Sequence, residues 1–360
     1  MGTFGEFRAA TRIVIGPGCV RERLAEELRG LEADVVAVIV DRGFAQTGLL
    51  DELLESIAEP SHPICALIGV DPDVGEAEQA AAAAIEHGAT AVLAVGGGSA
   101  LCAGKAVAIR LRNVGSLEDY QGRDRLTHRP ARTIAIPTTA GSGSEVSTVV
   151  VLHDPRHAQH LVIRGHGYEP DVALLDGTLL ATLPARPMIE AALDALSHCY
   201  EALWARKATP VTDALALQAA GAIRASLPRA LERSLEDMQK LIVASAMANL
   251  ACGNAELGLV HALSSAPGVR LPHGYQNGVL LPHVAEFNRT VLSEEAAAEI
   301  AHLPAFYEQI GFEARFEANV DPELMVTAAL ENPFLANNLR SAGEGELRAL
   351  LDAPGAATGP

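Results

Sequence analysis

Residues 90–109 read TAVLAVGGGSALCAGKAVAI, and this stretch indicates the fold class of the first half of the chain. The apolar run at 90–95 is typical of a strand that is buried on both faces. Three glycines and a serine follow it directly, and the alanine-rich run after them predicts a helix. A strand, a tight glycine turn and a helix make up one unit of an open α/β sheet.

The sequence around this stretch repeats the same alternation. Four further apolar runs predict buried parallel strands, at VVAVIV (35–40), CALIGV (65–70), TIAI (133–136) and VALLD (172–176). Helical patterns lie between several of them, at RERLAEELRGL (21–31), LLDELLESIAE (49–59) and GEAEQAAAAAIEHG (75–88). Strands that alternate with helices predict a parallel, doubly wound sheet.

The second half of the chain has a different pattern. From about Pro184 onward the sequence is helical almost throughout, as in VTDALALQAAGAIRASL (211–227) and ELMVTAAL (323–330). We therefore predict an α/β nucleotide-binding domain at 1–180 and an all-helical, metal-binding domain at 181–360, with a ligand in the cleft between them. The tail DAPGAATGP (352–360) is predicted to be frayed.

Composition excludes several classes of function. The formal net charge is −18 with no basic run, which argues against a nucleic-acid partner. No run of 18 apolar residues and no signal-like start occurs, so we expect neither a membrane span nor export. Five cysteines without a C-x-x-C pair are expected to be reduced core residues in a cytoplasmic protein. These are Cys19, Cys65, Cys102, Cys199 and Cys252.

The glycine turn is a candidate phosphate site. Gly97, Gly98 and Ser99 lie between a strand and a helix, where free backbone N–H groups and the helix dipole favour an anion. The G-x-G-x-x-G fingerprint is absent, and the alternative is a plain turn in which Ser99 caps the helix.

Two other segments point to a nucleotide. The run IPTTAGSGSEVS (136–147) offers Thr138 and Thr139 after another strand, where hydroxyls can bind ribose or phosphate. Asp41 ends an early strand, a position at which an acid commonly accepts the ribose hydroxyls of NAD. A solvated carboxylate is the alternative for Asp41.

The stretch LDALSHCYEALW (193–204) places ionisable groups in an apolar helix. Asp194 and His198 are four residues apart, so both point to one side. A buried carboxylate without a partner is costly, so the pair either satisfies itself or binds a common cation. A later segment adds His261, His273 and His283. One carboxylate with two or three imidazoles suits Fe²⁺ or Zn²⁺, whereas a satisfied core histidine is the alternative.

Five motifs in order resemble the iron-containing (group III) alcohol dehydrogenase family, which includes maleylacetate reductases. The resemblance covers residues 10–290, and ENPFLANNLRSAGEGELRALL (331–351) is similar to the closing segment of the family. The motifs are VGGGSALCAGKAVA, IPTTAGSGSEVS, PDVALLDGTLLATLP, LDALSHCYEA and GLVHALSSAPGVRLPHGYQNGVLLPH.

The resemblance implies a dehydroquinate synthase-like fold and a homodimer. It also implies which residues bind the metal and which bind the cofactor. One divalent metal, usually Fe²⁺ and sometimes Zn²⁺, is expected on Asp194, His198, His261 and His273, of which His261 and His273 are also assigned to catalysis. NAD, with NADP as the alternative, is expected on Asp41, Gly97, Gly98, Ser99, Thr138, Thr139 and Leu179. Maleylacetate reductases tend to carry Asn where this chain has Asp194, so the acid favours the metal-dependent branch.

Three positions depart from the pattern of the family. Cys102 replaces an aspartate after the glycine turn, and His160 replaces a lysine. Ser265 stands where the family usually has a histidine that passes a proton between substrate and solvent, and a hydroxyl cannot titrate near neutral pH. The hydroxyl of Ser265 either bonds a neighbouring carbonyl, or holds a water or widens the pocket.

These observations predict a metal-dependent, NAD(P)-linked oxidoreductase that interconverts a small alcohol and an aldehyde or ketone by hydride transfer. Two alternatives remain open at this point. One is a maleylacetate-type reductase of keto acids, and the other is a nucleotide-binding relative that does not turn over an alcohol.

Overall fold

The computed structural model describes residues 5–55, 57, 60–156, 159–317 and 320–354. The chain divides into two compact units, an α/β unit at Ala9–Leu183 and a helical unit formed by Met1–Arg8 with Pro184–Pro360. The last six residues of the predicted frayed tail, and three residues at the end of the helix predicted at 49–59, lie outside the described ranges.

The strands of the α/β unit form two sheets. In chain order they are β1 (Arg12–Ile15), β2 (Val36–Asp41), β3 (Ile64–Ile68), β4 (Ala91–Gly96), β5 (Gly122–Arg123), β6 (Arg132–Pro137), β7 (Val149–Asp154), β8 (Gln159–Arg164) and β9 (Val172–Leu175). The main sheet has the order β1-β9-β6-β4-β2-β3 and is parallel throughout. The smaller sheet has the order β5-β8-β7, with β7 and β8 antiparallel.

Helices cover both faces of the main sheet. They are α1 (Cys19–Gly30), α2 (Arg42–Ala45), α3 (Leu49–Glu55), α4 (Val74–Glu86) and α5 (Gly98–Arg112). Side chains of α1, α2 and α3 pack on one face, and those of α4 and α5 pack on the other. Alternate residues of a strand point to opposite faces, so the central strands are apolar at every position except near their ends. The prediction of a parallel, doubly wound sheet is confirmed.

One strand differs from its prediction. The run at 65–70 is not a fully buried strand, because β3 lies at the edge of the sheet, where Ile64 is 47% and Leu67 is 45% exposed. The sequence analysis did not predict edge strand β1. It also did not predict the small sheet, whose strand β5 lies in a polar stretch of the sequence at 113–130.

The order of the strands creates a switch point at the glycine turn. From β2 the chain moves outward to β3, and then returns to β4 on the other side of β2. Open α/β sheets bind ligands where the carboxyl ends of two such strands meet. Asp41 ends β2 and Gly96 ends β4, and a Cβ atom on Gly96 would lie only 2.5 Å from the Cβ of Asp41. Glycine is therefore required at this crossing.

The helical unit contains no strand in the part of the chain that the structure describes. Its helices are α6 (Ala185–Leu203), α7 (Pro210–Leu231), α8 (Leu235–Ala255), α9 (Leu259–Ser264), α10 (His273–Asn288), α11 (Glu294–Ile300), α12 (Leu303–Ile310), α13 (Pro322–Glu331) and α14 (Glu344–Asp352). The prediction of an all-helical second half is confirmed. Among the described helices, none is both long enough and apolar enough to cross a bilayer.

Two features fix the core helices of this unit. The small residues Ala216, Ala219 and Ala220 of α7 are fully buried, which allows its neighbours to approach closely. Arg224 donates two hydrogen bonds of 2.7 Å to Glu299, which ties α7 to α11. A bidentate pair of this kind restrains both position and orientation. The helix α6, which carries the predicted ligands, packs against α7 and α8.

Candidate metal centre and nucleotide loop

Helix α6 places Asp194 and His198 on one face, one turn apart. Both side chains are buried, and Asp194 Oδ1 lies 3.8 Å from His198 Nε2. The helix forms here because Leu, Ala, Cys and Tyr surround the two polar groups and bury the remaining faces. The spacing therefore directs an oxygen and a nitrogen ligand into one enclosed space, as predicted from the sequence.

Two other helices bring the remaining imidazoles to the same oxygen. His261 lies in the short helix α9, and its Nε2 is 3.8 Å from Asp194 Oδ1. His273 begins α10, and its Nε2 is 3.7 Å from that atom. His283 lies elsewhere, with Nε2 at 3.2 Å from the carbonyl of Ala314. Three imidazole nitrogens thus converge on one carboxylate oxygen, and we call these four side chains the Asp194 cluster.

A second buried carboxylate supports this cluster. Glu201 is fully buried, and its Oε2 lies 2.5 Å from His261 Nδ1. Its Oε1 accepts the backbone N–H groups of Val260 (2.6 Å) and His261 (3.3 Å). A carboxylate beside Nδ1 keeps the proton on that nitrogen and leaves the lone pair of Nε2 facing Asp194, which is the tautomer that binds a metal.

Glu201 is not among the site residues predicted from the sequence. Its position, seven residues after Asp194, places it on the same helical face as the two predicted ligands, so the spacing alone marks it as part of the site. Its partner His261 is 60 residues away, and only the fold identifies that contact.

Asn277 also belongs to this site, and no pattern in the sequence indicates it. Its fully buried amide Nδ2 lies 2.7 Å from Asp194 Oδ1, 3.2 Å from His261 Nε2 and 3.1 Å from His273 Nε2. An amide carries two N–H donors, so these three acceptors share them. Asn277 follows His273 by one turn of α10 and directs a donor toward the carboxylate.

The charges of the cluster are consistent with a cation. Burial raises the pKa of Asp194, but His198, His273, His261 and Asn277 outweigh burial, so the pKa lies below its usual value. Asp194, His198 and His261 each offer a ligand atom, all within 4.8 Å of one another. One carboxylate oxygen and three imidazole nitrogens in a buried setting are a donor set that Fe²⁺ and Zn²⁺ accept. The residues present therefore fit a divalent metal.

Ser265 makes the simpler of the two contacts considered for it. Its Oγ donates a hydrogen bond of 2.5 Å to the carbonyl oxygen of His261, four residues earlier. This is the back-bonding that hydroxyl side chains commonly adopt in helices. That alternative is confirmed.

In the α/β unit, the glycine turn is shaped by its contacts with the threonine segment. A Cβ on Gly97 would lie 3.3 Å from the side chain of Thr139, and one on Gly98 would lie 2.7 Å from the Oγ of Ser142. Thr138 N donates to the carbonyl of Gly96 at 3.0 Å. Helix α5 begins at Gly98, so its first N–H groups open at this turn, as an anion site requires.

Ser99 does not cap helix α5, and the alternative that it does so is wrong. The capping position is Gly97, and Ser99 is the second residue of the helix. The Oγ of Ser99 instead accepts the backbone N–H of Asp71 at 3.1 Å. The hydroxyl hydrogen of Ser99 is not used in that bond, so it can be donated to another acceptor.

Asp41 has a structural contact that the sequence did not indicate. Its Oδ1 accepts the backbone N–H of Phe44 at 2.8 Å and caps helix α2. The carboxylate is partly exposed and has this structural role at the end of β2, and binding of ribose by Asp41 stays a prediction. Leu179 lies in a 3-10 turn at Gly177–Thr182 and packs in the core of the unit, so its contact with a nucleotide also stays a prediction.

A glycine turn at the switch point of an α/β unit and an Asp–His₃ cluster in a helical unit are the two features expected of a metal-dependent, nucleotide-linked oxidoreductase. Two family models identify it further. The model of iron-containing alcohol dehydrogenase matches residues 10–177, and that of the Fe-containing alcohol dehydrogenase family, C-terminal, matches residues 188–311. The chain belongs to the iron-containing alcohol dehydrogenase family.

Individual relatives agree with this assignment. An NAD-dependent methanol dehydrogenase of Bacillus methanolicus is 33% identical over 296 residues, which cover 81% of this chain and 77% of that protein. A 1,3-propanediol dehydrogenase of Klebsiella pneumoniae is 32% identical over 80% of this chain and 76% of its own length. A solved structure described as a 1,3-propanediol oxidoreductase superposes with a TM-score of 0.91 at 27% identity, covering 98% of this chain and all of that one (100%). The resemblance predicted from the five motifs is confirmed.

Proposed function

We propose that this chain is a metal-dependent, NAD(P)-linked dehydrogenase that interconverts an alcohol and its aldehyde or ketone by hydride transfer. The observation that carries the proposal is the convergence of three imidazole nitrogens on Oδ1 of the buried Asp194. A buried carboxylate is costly unless it is compensated, and the four ligand atoms of this cluster suit one divalent cation. Membership of the family supports the same conclusion.

The Asp194 cluster would hold the metal, with Fe²⁺ or Zn²⁺ as the two candidates. Such a metal, when bound, supplies a Lewis acid for the oxygen of the substrate. The protein holds the ligands in place. Glu201 fixes the tautomer of His261, and Asn277 donates to Asp194 so that the carboxylate keeps one orientation.

Substrate access is proposed to lie beside His273. The side chain of His273 is 49% exposed, whereas those of Asp194 and His261 are 8% and 4% exposed. The other members of the cluster are therefore enclosed, and a small molecule can approach from the side of His273. We assign a catalytic role to His261 and His273.

The glycine turn and the threonine segment would bind the dinucleotide, which supplies or accepts the hydride. The hydroxyl of Ser99 and the first N–H groups of α5 are donors for phosphate, and Asp41 is the candidate acceptor for ribose hydroxyls. Because a carboxylate repels a 2′-phosphate, NAD is expected to be preferred over NADP. Contacts are proposed from Asp41, Gly97, Gly98, Ser99, Thr138, Thr139 and Leu179.

The substrate is proposed to be a small alcohol or aldehyde. Relatives of the chain are described as methanol, 1,3-propanediol and sulfoacetaldehyde enzymes, all of which act on molecules of a few heavy atoms. The protein is also expected to be a cytoplasmic homodimer, since the resemblance to the family implies a dimer and the composition argues against export.

A metal and activity assay tests this proposal. Purified protein is analysed for bound metal, and NADH absorbance is followed with a panel of small alcohols and aldehydes. We expect stoichiometric Fe²⁺ or Zn²⁺ and turnover that is lost on chelation and restored by added metal. Turnover confined to keto acids would indicate a maleylacetate-type reductase. Dinucleotide binding without turnover of any substrate would contradict the dehydrogenase assignment.

A further inference from the structure

Two adjacent asparagines near the C-terminus are buried in the helical unit. Asn337 ends the 3-10 turn Pro333–Asn337 and is 6% exposed, and Asn338 follows it and is 1% exposed. A buried amide costs free energy unless its polar atoms are hydrogen-bonded. The partners of these two residues, which we call the asparagine pair, therefore show which segments of the unit are held together.

The backbone of the asparagine pair is bonded to the segment that follows α6. Arg206 donates its backbone N–H to the carbonyl oxygen of Asn337 at 2.7 Å, and Leu339 donates its N–H to the carbonyl oxygen of Trp204 at 2.9 Å. These bonds flank an isolated antiparallel bridge between the two segments. The asparagine pair is thus fixed to the end of the helix that carries two of the predicted metal ligands.

The side chain of Asn337 holds the turn that precedes α9. Its Nδ2 donates to the carbonyl oxygens of Ala255 and Leu257, both at 2.9 Å. Glu256, between them, has a φ of +62°, in the left-handed region that residues other than glycine rarely occupy. Such a conformation persists only where surrounding contacts hold it. The amide of Asn337 supplies two of these contacts on either side of the strained residue.

The side chain of Asn338 reaches α10 and the same turn. Its Nδ2 donates to Oδ1 of Asn288 at 2.8 Å, and Nδ2 of Asn288 donates back to Oδ1 of Asn338 at 3.2 Å. Asn288 is the last residue of α10, which begins at His273. A Cβ on Gly258 would lie 3.4 Å from Oδ1 of Asn338 and 3.2 Å from Oε1 of Glu201. The asparagine pair and the carboxylate that supports the metal centre therefore pack against one glycine.

The position of α9 depends on these contacts. The helix has only six residues, and so short a helix is not stable without the contacts around it. It is held at its start by Glu201, whose Oε1 accepts two of its backbone N–H groups, and by the turn at 255–258. A shift of this turn would move Nε2 of His261 relative to Asp194. The affinity of a metal site depends on such ligand geometry.

From these contacts we propose that Asn337 and Asn338 are positioning residues of the metal centre. They join the ends of α6 and α10 to the turn before α9, and so fix His261 and its supporting carboxylate, Glu201, relative to Asp194. The proposal rests on the metal-binding role assigned above to the Asp194 cluster. It gives a function in metal binding to a segment that contains no predicted ligand.

Competition between the protein and a chelator for Zn²⁺ tests the proposal. Asn337→Ala and Asn338→Ala should weaken Zn²⁺ binding about threefold to tenfold, because loss of a direct hydrogen-bond partner of a ligand costs about ten- to a hundredfold and the asparagine pair acts one contact further out. Asn337→Ser and Asn338→Ser, which keep one donor, should lose less affinity. The serine variants take the place of the alanine variants if these do not fold.

The melting temperature with and without Zn²⁺ separates positioning from a contribution to folding alone. A bound metal raises the melting temperature by an amount that depends on its dissociation constant. In variants of the asparagine pair, the increase on adding Zn²⁺ should be smaller than in the unmodified protein. Residues that serve the fold alone would lower the melting temperatures of the metal-free and the metal-loaded protein equally.

Asn332→Ala is the matched control, because Asn332 caps the other end of the same 3-10 turn by accepting the N–H of Phe334 at 3.0 Å. It should lower the melting temperature and leave the dissociation constant of Zn²⁺ unchanged. Unchanged Zn²⁺ affinity in the folded variants of both Asn337 and Asn338 would overturn the proposal and leave the proposed function untouched. Failure of the unmodified protein to bind Zn²⁺ or Fe²⁺ would instead overturn the metal-binding role itself.

Discussion

The metal centre of the helical unit and the glycine turn of the α/β unit are built from different materials. The Asp194 cluster consists of side chains, namely one carboxylate and three imidazoles. A second carboxylate and an amide support it through hydrogen bonds. The glycine turn consists of backbone, and Gly97 and Gly98 are explained as much by the closeness of Thr139 and Ser142 as by a ligand. Chemistry that resides in side chains is visible in the sequence, whereas chemistry that resides in backbone is visible only as missing Cβ atoms.

This difference also predicts how the two sites fail. Loss of one side chain in the metal centre leaves a buried group without its partner, which costs affinity for the metal directly. Substitution at the α/β site acts through charge, as at Asp41, because the backbone donors remain. Substitutions at the metal centre should therefore reduce turnover more than substitutions at the glycine turn or Asp41. Ser265 is expected to be an exception within the helical unit.

The largest effect is expected from removal of the oxygen on which the imidazoles converge. Asp194→Ala should weaken metal binding by more than about a hundredfold and abolish turnover, because even the loss of an outer hydrogen-bond partner costs about ten- to a hundredfold. Metal content after dialysis is the measurement. His283→Ala, in the same unit but outside the cluster, should keep its metal. If Asp194→Ala retained stoichiometric metal, the assigned ligand set would be wrong.

The second-largest effect is expected at Glu201, which contacts a predicted metal ligand but is not itself a ligand. A variant of this residue tests how much the supporting contacts contribute to metal affinity. In Glu201→Gln the side-chain oxygen can still accept from Val260 and His261, but an amide N–H would face His261 Nδ1. That nitrogen would then have to accept, and the proton would move to Nε2, which cannot bind a metal while protonated. We expect a ten- to hundredfold loss of metal affinity, by the usual size of such effects.

Competition with a chelator measures this affinity. Glu299→Gln is the matched control, because Glu299 is another largely enclosed carboxylate of the same unit whose partner is Arg224. It should lower the melting temperature and leave the dissociation constant of the metal unchanged. Equal metal affinity in Glu201→Gln and the unmodified protein would show that Glu201 serves the fold alone.

The central strands were predicted from the sequence because each contains an unbroken apolar run, which follows from burial on both faces. The sequence could not place β3 at the edge, since the order of strands depends on contacts between distant segments. Strands β7 and β8 carry polar residues such as His153 and His160, and their pairing is likewise not a property of either segment.

The same limit applies to the metal centre. Asp194 and His198 were predicted because one helical turn separates them, and the resemblance to a known family added His261 and His273. Asn277 was missed because an asparagine within a helix has many uses, and only the fold places its amide 2.7 Å from Asp194. Ligands are recognised by their type, whereas the residues that orient them are recognised by their contacts.

A smaller effect is expected at Asp41, where capping and cofactor choice can be separated. Asp41→Asn keeps an oxygen for the N–H of Phe44, so the cap and stability should be preserved, since Asn and Asp cap helices about equally well. The negative charge is lost, and with it the repulsion of a 2′-phosphate. The preference for NAD(H) over NADP(H) should narrow by about tenfold, a change of about 1.4 kcal/mol in relative binding.

The ratio of kcat/KM for the two cofactors measures this preference. Asp41→Ala loses both the charge and the cap, so its preference should narrow equally while stability falls by about 1 kcal/mol. A preference that is the same in Asp41→Asn and the unmodified protein would mean that the carboxylate serves only helix α2.

The smallest effect is expected at Ser265, within the unit where the largest effects are predicted. Its hydroxyl donates to the carbonyl of His261, so its hydrogen is already committed, and it cannot titrate near neutral pH. Ser265→Ala should lower kcat by less than about tenfold, because loss of a true proton-transfer residue would cost about a hundredfold or more.

Ser264→Ala, at the adjacent position, is the control for a change in the packing of α9. The rate should be measured against pH for both variants, and the two profiles should have the same shape. A loss near a thousandfold in Ser265→Ala alone, with metal and cofactor still bound, would show that this hydroxyl takes part in the chemistry and that its contact with His261 is not its main role.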